Sequence, residues 1–346
     1  MQNSKGLFSA ISALILIVFV SLGCSSLSRY VKDIAEKQNQ EQEGRTKKDD
    51  NGITKSAGSE SPSESLVKKS NLYISKCFNT YSTSIANSHQ RYTSWIKDPK
   101  AGPTGKESIV YGLYQINGNG DDCVEAIASA KVQEPSMPEI EAAADKFVAS
   151  LKEVVPKIAD VYDYYDKENY KDDGFAKGKA AHPALIEAFD NFEAVNKEFA
   201  VEIDKLEDNV AQMQLEEFKD DPSKTYQYAA VDFSIKAKKI LTYIRDKQYT
   251  EMKADDLQPL IEDAETSLTT VKGSSAAPMS TAFSGQADQF IKAAKELMRR
   301  IRDKKAFNNF ERGLLGRNGG WMVEGSPDKV VNTYNQMIRM RSFDNL

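Results

Sequence analysis

Residues 192–213 read FEAVNKEFAVEIDKLEDNVAQM, and their spacing decides the fold class. Phe192, Val195, Phe199, Ile203, Leu206, Val210 and Met213 recur every three or four residues. At 3.6 residues per turn they form one apolar stripe on a helix, with the intervening acids and lysines turned away from it. Phe233, Ala237, Ile240, Leu241 and Ile244 repeat the pattern, as do Phe290, Ala294, Leu297 and Ile301. A looser stripe runs through Leu72, Ile74, Phe78, Tyr81, Ile85, Tyr92 and Trp95. Convincing strand alternation is absent. The best candidate, IVYGLYQI at 109–116, is interrupted by Gly112 and reads as one short extended piece. Breakers mark the joints: Asp98-Pro99, Pro135 with Pro138, Gly174, Asp221-Pro222, and Gly273 through Pro278. Ser326-Pro327-Asp328 predicts a helix start, with Ser326 as N-cap and Pro327 in the first turn, opening a last helix with Val330, Val331, Tyr334, Met337 and Ile338. The expected fold is all-α: an elongated helical bundle with one irregular, disulfide-closed segment.

The chain has 346 residues, of which 28% are charged and 40% hydrophobic, ordinary values for a globular protein. Lys and Arg number 46 against 51 Asp and Glu, a net charge of -5. That balance argues against general nucleic-acid binding, which needs a basic surface to displace counterions. The only histidines, His89 and His182, leave little room for a multi-histidine metal site.

At the amino terminus, Lys5 precedes an uncharged apolar stretch from Leu7 to Val20. The run is short for a spanning helix of roughly 20 residues and suits a signal-peptide core. Ser21-Leu22-Gly23-Cys24 follows. It resembles a bacterial lipobox, with Ser21 where the commonest form has an aliphatic residue. The resemblance implies cleavage after Gly23 and acylation of Cys24, and two or more acyl chains anchor a protein stably. The alternatives are an uncleaved anchor helix or an ordinary secretory signal. Ser25 in place of an aspartate favours, by analogy, the inner leaflet of an outer membrane. Residues 37–65, KQNQEQEGRTKKDDNGITKSAGSESPSES, carry almost no apolar surface to offset ordering entropy and read as a flexible linker. The expected organisation is a signal peptide at 1–23, a lipidated cysteine plus linker at 24–65, and a helical domain at 66–346.

With Cys24 assigned to lipid, Cys77 and Cys123 are the remaining pair. An exported chain meets an oxidising compartment, so a structural disulfide is expected. It would close the least regular part of the folded region, for about 4 kcal/mol on the chain-entropy model. The alternative is a metal site or a reactive thiol pair, for which no histidine or third cysteine lies nearby in sequence.

Several stretches resemble a known family. NLYISKCFNTYSTSIANSHQRYTSWI (71–96), GPTGKESIVYGLYQI (102–116), DDCVEAI (121–127), DVYDYYDKENYKDDGFAKGKAAHPALIEAF (160–189) and GSPDKVVNTYNQMIR (325–339) are similar to the YiiG-like bacterial lipoproteins, a family of unknown function. The similarity spans roughly residues 66 to 342. It implies a lipobox, paired cysteines and a helical fold, and brings no activity, cofactor or catalytic residue.

Three stretches are candidates for chemistry. YDYYDKENYKDDG, residues 162–174, alternates acids with tyrosines. As a hand-type calcium loop starting at Asp166 it fails, with Tyr170 fifth and Lys171 where glycine is needed. As a sugar platform, Tyr162, Tyr164 and Tyr165 with Asp172 and Asp173 have suitable chemistry, since aromatic faces stack on apolar sugar faces. The other reading is a helix end with tyrosines inside and acids in water. His182 and Glu187 stand five apart, the wrong spacing for one helix face, so His182 reads as a helix-start histidine capping nearby groups. Arg299, Arg300, Arg302, Lys304 and Lys305 form a basic run, with Arg312 and Arg317 beyond it, then glycines and Trp321. This run would suit phosphate or anionic lipid. Equally, it is a set of cations favoured at a helix C-terminus.

No nucleophile–base, paired-acid or metal constellation is visible, and no cofactor is implied. The expectation is a lipid-anchored, periplasm-facing envelope protein, leaning non-enzymatic: a binding or scaffolding module whose partners are the membrane and an envelope protein or cell-wall component. The alternative is a receptor or enzyme acting on cell-wall glycan or anionic envelope lipid.

Overall fold

The structure is a computed structural model that describes residues 61–274, 280–316 and 319–343. The expected signal peptide, Cys24, most of the linker, and Arg317 lie outside the described residues.

The first helix, α1 (Pro62–Tyr73), begins at a capping box. Glu64 N–H donates to Ser61 Oγ at 3.2 Å, and Ser61 N–H to the Glu64 carboxylate at 3.4 Å. The helix thus starts inside the stretch read as linker, because SPSE is polar in composition but is also a helix start. A π-helical turn at Ile74–Phe78 joins α1 to α2 (Asn79–Ser94) and carries Cys77. Residues 97–120 form no regular element among those described; 109–116, read as one short extended piece, has no strand assignment, and Gly112 within it has a φ of 62°. They lead to α3 (Asp121–Lys131), which holds Cys123.

Helix α4 (Pro138–Asp166), the short α5 (Tyr170–Asp173) and α6 (Ala176–Phe218) follow. The chain turns back between α4 and α6 at Gly174, whose φ of 62° suits glycine. With 43 residues, α6 runs roughly 65 Å. Beyond it lie α7 (Thr225–Arg245), α8 (Ala254–Ser274), α9 (Ser280–Arg302), α10 (Asn309–Leu315) and α11 (Pro327–Phe343). Lys329 N–H donates to Ser326 Oγ at 3.1 Å, so the predicted cap on α11 is present.

Two apolar cores organise these helices. The first is built by α1, the π turn, α2, α3, α4 and α6. Phe192, Phe199, Ile203 and Leu206 of the deciding stripe are buried in it, beside Phe147 and Phe78. The second is a ring of four helices, α7, α8, α9 and α11, around Phe233, Phe283, Phe290 and Leu297. Helix α6 also packs on α7. There Asp204 and Asp208 meet Arg245 and Lys238, each pair at 2.7 Å.

Two long helices, α4 and α8, escape the periodicity reading. Both contain an internal proline, Pro156 and Pro259, which reads as a break, and each buried stripe includes a serine, Ser150 and Ser267. Neighbouring helices supply the packing that propensity alone does not.

Candidate functional site

Cys77 and Cys123 are joined in a disulfide with both residues fully buried. The bond brackets the irregular 97–120 segment at both ends, and side chains of α2 and its C-cap residue Trp95 hold its middle. Ser88 Oγ donates to Tyr114 O at 2.7 Å, Arg91 Nε to Tyr111 O at 2.8 Å, and Trp95 Nε1 to Gly112 O at 2.9 Å. Residues 88 and 91 and the C-cap residue 95 follow helical spacing on one side of α2, so they lay a row of donors along this segment. Leu113 and Ile116 insert into the first core, while Ile109, Tyr111 and Tyr114 face solvent.

His182 holds the start of this segment. It lies in the second turn of α6 with its ring buried, not at the helix start, because α6 begins at Ala176 and continues through Pro183. Pro99 O is a carbonyl and only accepts, so His182 Nε2–H donates to it at 3.0 Å. Nδ1 then accepts from the Tyr92 hydroxyl at 2.9 Å. Burial holds the imidazole below its ordinary value and raises the Tyr92 hydroxyl to about 12, so the pair is neutral at neutral pH. Gly102 passes directly over the ring: a Cβ there would fall 2.6 Å from His182 Cδ2, and its φ is 86°.

The tyrosine–acid stretch does not converge on an open cleft. Tyr164 and Tyr165 turn into the first core, where Tyr165 packs on Trp95, Tyr92 and Tyr170. Asp172 and Asp173 are exposed. Asp173 accepts from the Tyr164 hydroxyl at 2.7 Å and from Lys177 N–H at 3.0 Å, which hold its carboxyl below the usual range. Burial first, and then that bond, lifts Tyr164 to about 12. Tyr162 is half-buried. The stretch therefore joins α4 to α6 as a structural corner.

The described arginines of the basic run are neutralised locally. Arg299 pairs with Glu296 at 2.7 Å and Arg302 with Asp303 at 2.8 Å. Arg300, read from sequence as a surface cation, is buried. It forks onto Glu311 at 2.7 and 3.2 Å and lies 4.4 Å over the Phe307 ring. That pairing holds the Glu311 carboxyl below the ordinary range. Trp321 is exposed.

The surface with the best recognition chemistry was missed in sequence. Arg91 lies 4.5 Å from the Tyr114 ring centroid and 5.9 Å from that of Tyr111, both rings half exposed. Two aromatic faces around a guanidinium can stack on a sugar or hold an extended peptide. Tyr111 and Tyr114 were legible only as part of an extended run. Their exposure follows from which carbonyls α2 captures. Among the described residues no cluster of His, Cys, Asp or Glu has the geometry to hold a metal.

Comparison with known proteins gives a family and adds no activity. Residues 64–342 match the family described as "Protein of unknown function (DUF3829)". The chain is 31% identical over 273 residues to the uncharacterized protein YiiG of Escherichia coli (strain K12), covering 78% of this chain and 77% of that relative. No solved structure matches. The match extends from the first turn of α1 to the end of α11, through both cores, and the chain belongs to this YiiG-like family of unknown function.

Proposed function

We propose that the protein is a lipid-anchored component of the bacterial cell envelope, facing the periplasm from the outer membrane, and that its helical domain is a non-enzymatic binding or scaffolding module. The observation that carries this reading is the Cys77–Cys123 disulfide, fully buried within the first core. Such bonds persist where thiols are not kept reduced, which supports export. An exported chain whose apolar leader stops at Ser21-Leu22-Gly23-Cys24 has the pattern of a lipoprotein precursor. A scaffolding role is supported by where the polar chemistry goes: both nitrogens of His182 serve internal bonds, and His89 is stacked on Phe189. The test is metabolic labelling with a radioactive fatty acid, alone and with globomycin. Label on the wild type, its loss in Cys24→Ser, and precursor accumulation under globomycin are expected. Fatty-acid label retained by Cys24→Ser would overturn the anchor.

A receptor for cell-wall glycan is the second reading, favoured by the half-exposed Tyr111 and Tyr114 rings around Arg91. Soluble wall fragments titrated against the protein should quench Tyr fluorescence and lose affinity in Tyr114→Ala. No binding by the wild type would retire this reading.

A further inference from the structure

A second apolar surface lies at the end of the second core where Phe307 packs on Tyr249, and takes no part in either reading above. Phe310 is 75% exposed, Trp321 49% and Met322 47%. Phe310 and Leu314 are one turn apart on α10 and share a face. The Leu314 and Met322 side chains meet over Gly319, where an added Cβ would fall 3.1 Å from each. Gly319 N–H also donates to Leu314 O at 2.8 Å. Phe310, Leu314 and Met322 are thus neighbours on one tip, and Trp321 precedes Met322 in the single turn Gly320–Met322.

The tip is rigidly supported. Arg300 ties α10 to α9 through its two bonds to Glu311, and Asn308 and Glu311 form a capping box. Ser326 Oγ donates to Gly320 O at 2.7 Å, and Asp328 closes against Gly320 from below. Such support is more than solvent exposure of large apolar side chains requires.

The charge of the tip opposes that of the chain. Arg299, Arg300, Arg302 and Lys329 each meet a carboxylate. The cations Lys304, Lys305 and Arg312 form no ion pair among the described residues, and Arg312 donates only to Phe307 O and Asn309 Oδ1. In a chain of net charge -5 this leaves a local positive surface beside exposed aromatic and aliphatic groups. Tryptophan with such neighbours partitions to the water–bilayer interface, and nearby cations meet anionic headgroups.

We propose that this tip docks on an anionic phospholipid surface, with Phe310, Leu314, Trp321 and Met322 entering the interface and Lys304, Lys305 and Arg312 contacting headgroups. The proposal rests on the membrane-anchored reading for its geometry. Thirty-six residues lie between Cys24 and Ser61, a reach of at most roughly 130 Å, so an anchor at Cys24 allows the tip to touch the same bilayer. One lipid attachment then becomes a two-point attachment that orients the domain.

Trp321 is its own probe, because the other tryptophan, Trp95, is buried and bonded to Gly112. Full-length protein purified from membranes is reconstituted into phosphatidylcholine vesicles with or without phosphatidylglycerol, their acyl chains brominated or not. Brominated anionic vesicles are expected to quench Trp321 emission about twofold relative to unbrominated ones, with little effect in zwitterionic vesicles. Trp321→Phe should abolish the quenching, and Lys304→Glu with Lys305→Glu should sharply reduce it. Equal emission in brominated and unbrominated anionic vesicles overturns the proposal, as does quenching that ignores phosphatidylglycerol. Mass spectrometry of Cys24 in the same preparation reports acylation. A failed anchor and a failed docking surface are therefore read separately.

Discussion

The Lys69 ammonium lies 3.2 Å from the Glu141 carboxylate, across 72 residues of sequence, with no exposure of the lysine side chain. Its other two donors meet Gln133 O at 2.8 Å and Pro135 O at 2.6 Å. Three N–H groups thus satisfy three acceptors in the joint between α3 and α4. One buried cation clamps α1 to that joint.

Removing that cation should be expensive. Lys69→Met leaves the Gln133 and Pro135 carbonyls without this donor and the Glu141 carboxylate without its cation, and is expected to lower stability by about 3 kcal/mol in urea unfolding. The bond from Met137 N–H, and then that from Lys69, hold the Glu141 carboxyl below the usual range. A depressed carboxylate contributes stability above its unfolded value of about 4.3 and loses it as pH falls through the folded one. Part of the acid-side loss should vanish in Lys69→Met; an unchanged slope would remove the clamp from the explanation.

The disulfide sets a second expectation. Replacing Cys77 and Cys123 together with Ala should cost about 4 kcal/mol, from loop entropy restored to the unfolded chain. Wild type with reductant should unfold at the same urea concentration as the double variant. The bonds from Ser88, Arg91, Trp95 and His182 remain, so hydrogen exchange should still find residues 111–116 docked at low denaturant. Two free thiols in the unfolded, unreduced protein would contradict the bridge.

His182 makes folding sensitive to mild acid. Burial lowers the folded value of His182, and that of His89, below the ordinary imidazole value. The unfolded chain then binds more protons in that window, so stability is complete above about pH 6.5 and declines as pH falls below it. Urea midpoints measured from about pH 7.5 to about pH 5.5 should fall. In His182→Gln the midpoint should start lower and fall less steeply, with His89 carrying the remainder. An identical slope in the variant would mean that His182 does not titrate in this range.

Gly178 is needed for closeness, since its backbone is ordinary helix. A Cβ there would lie 2.6 Å from Tyr165 Oη and 3.2 Å from Tyr164 Cε1. Gly178→Ala should cost about 1–3 kcal/mol despite the better helix propensity of alanine. Adding Tyr165→Phe removes the clashing oxygen, so the double variant should recover much of the loss. Additive costs would place the strain elsewhere.

Local chemistry made much of this protein legible in its sequence. Stripes at three- and four-residue spacing declared α2, α6, α7, α9 and α11, and Ser326-Pro327 declared its own cap, because both depend on residues within two turns. Cys77 and Cys123 paired by elimination. Other features depended on partners that sequence spacing cannot bring together. Lys69 looks like a solvated lysine until Gln133, Pro135 and Glu141 surround it. Arg300 looks like one of several surface cations until Glu311 and Phe307 close over it. Tyr164 and Tyr165 alternate with acids exactly as a ligand platform would, and only the packing of α4 on α6 and α2 turns them inward. Tyr111 and Tyr114 face water because three donors on α2 take the carbonyls of their segment. Helical period is set by covalent neighbours. Whether a polar or aromatic side chain is core, clamp or surface is set by groups 7 to 90 residues away, and there the tertiary structure decides.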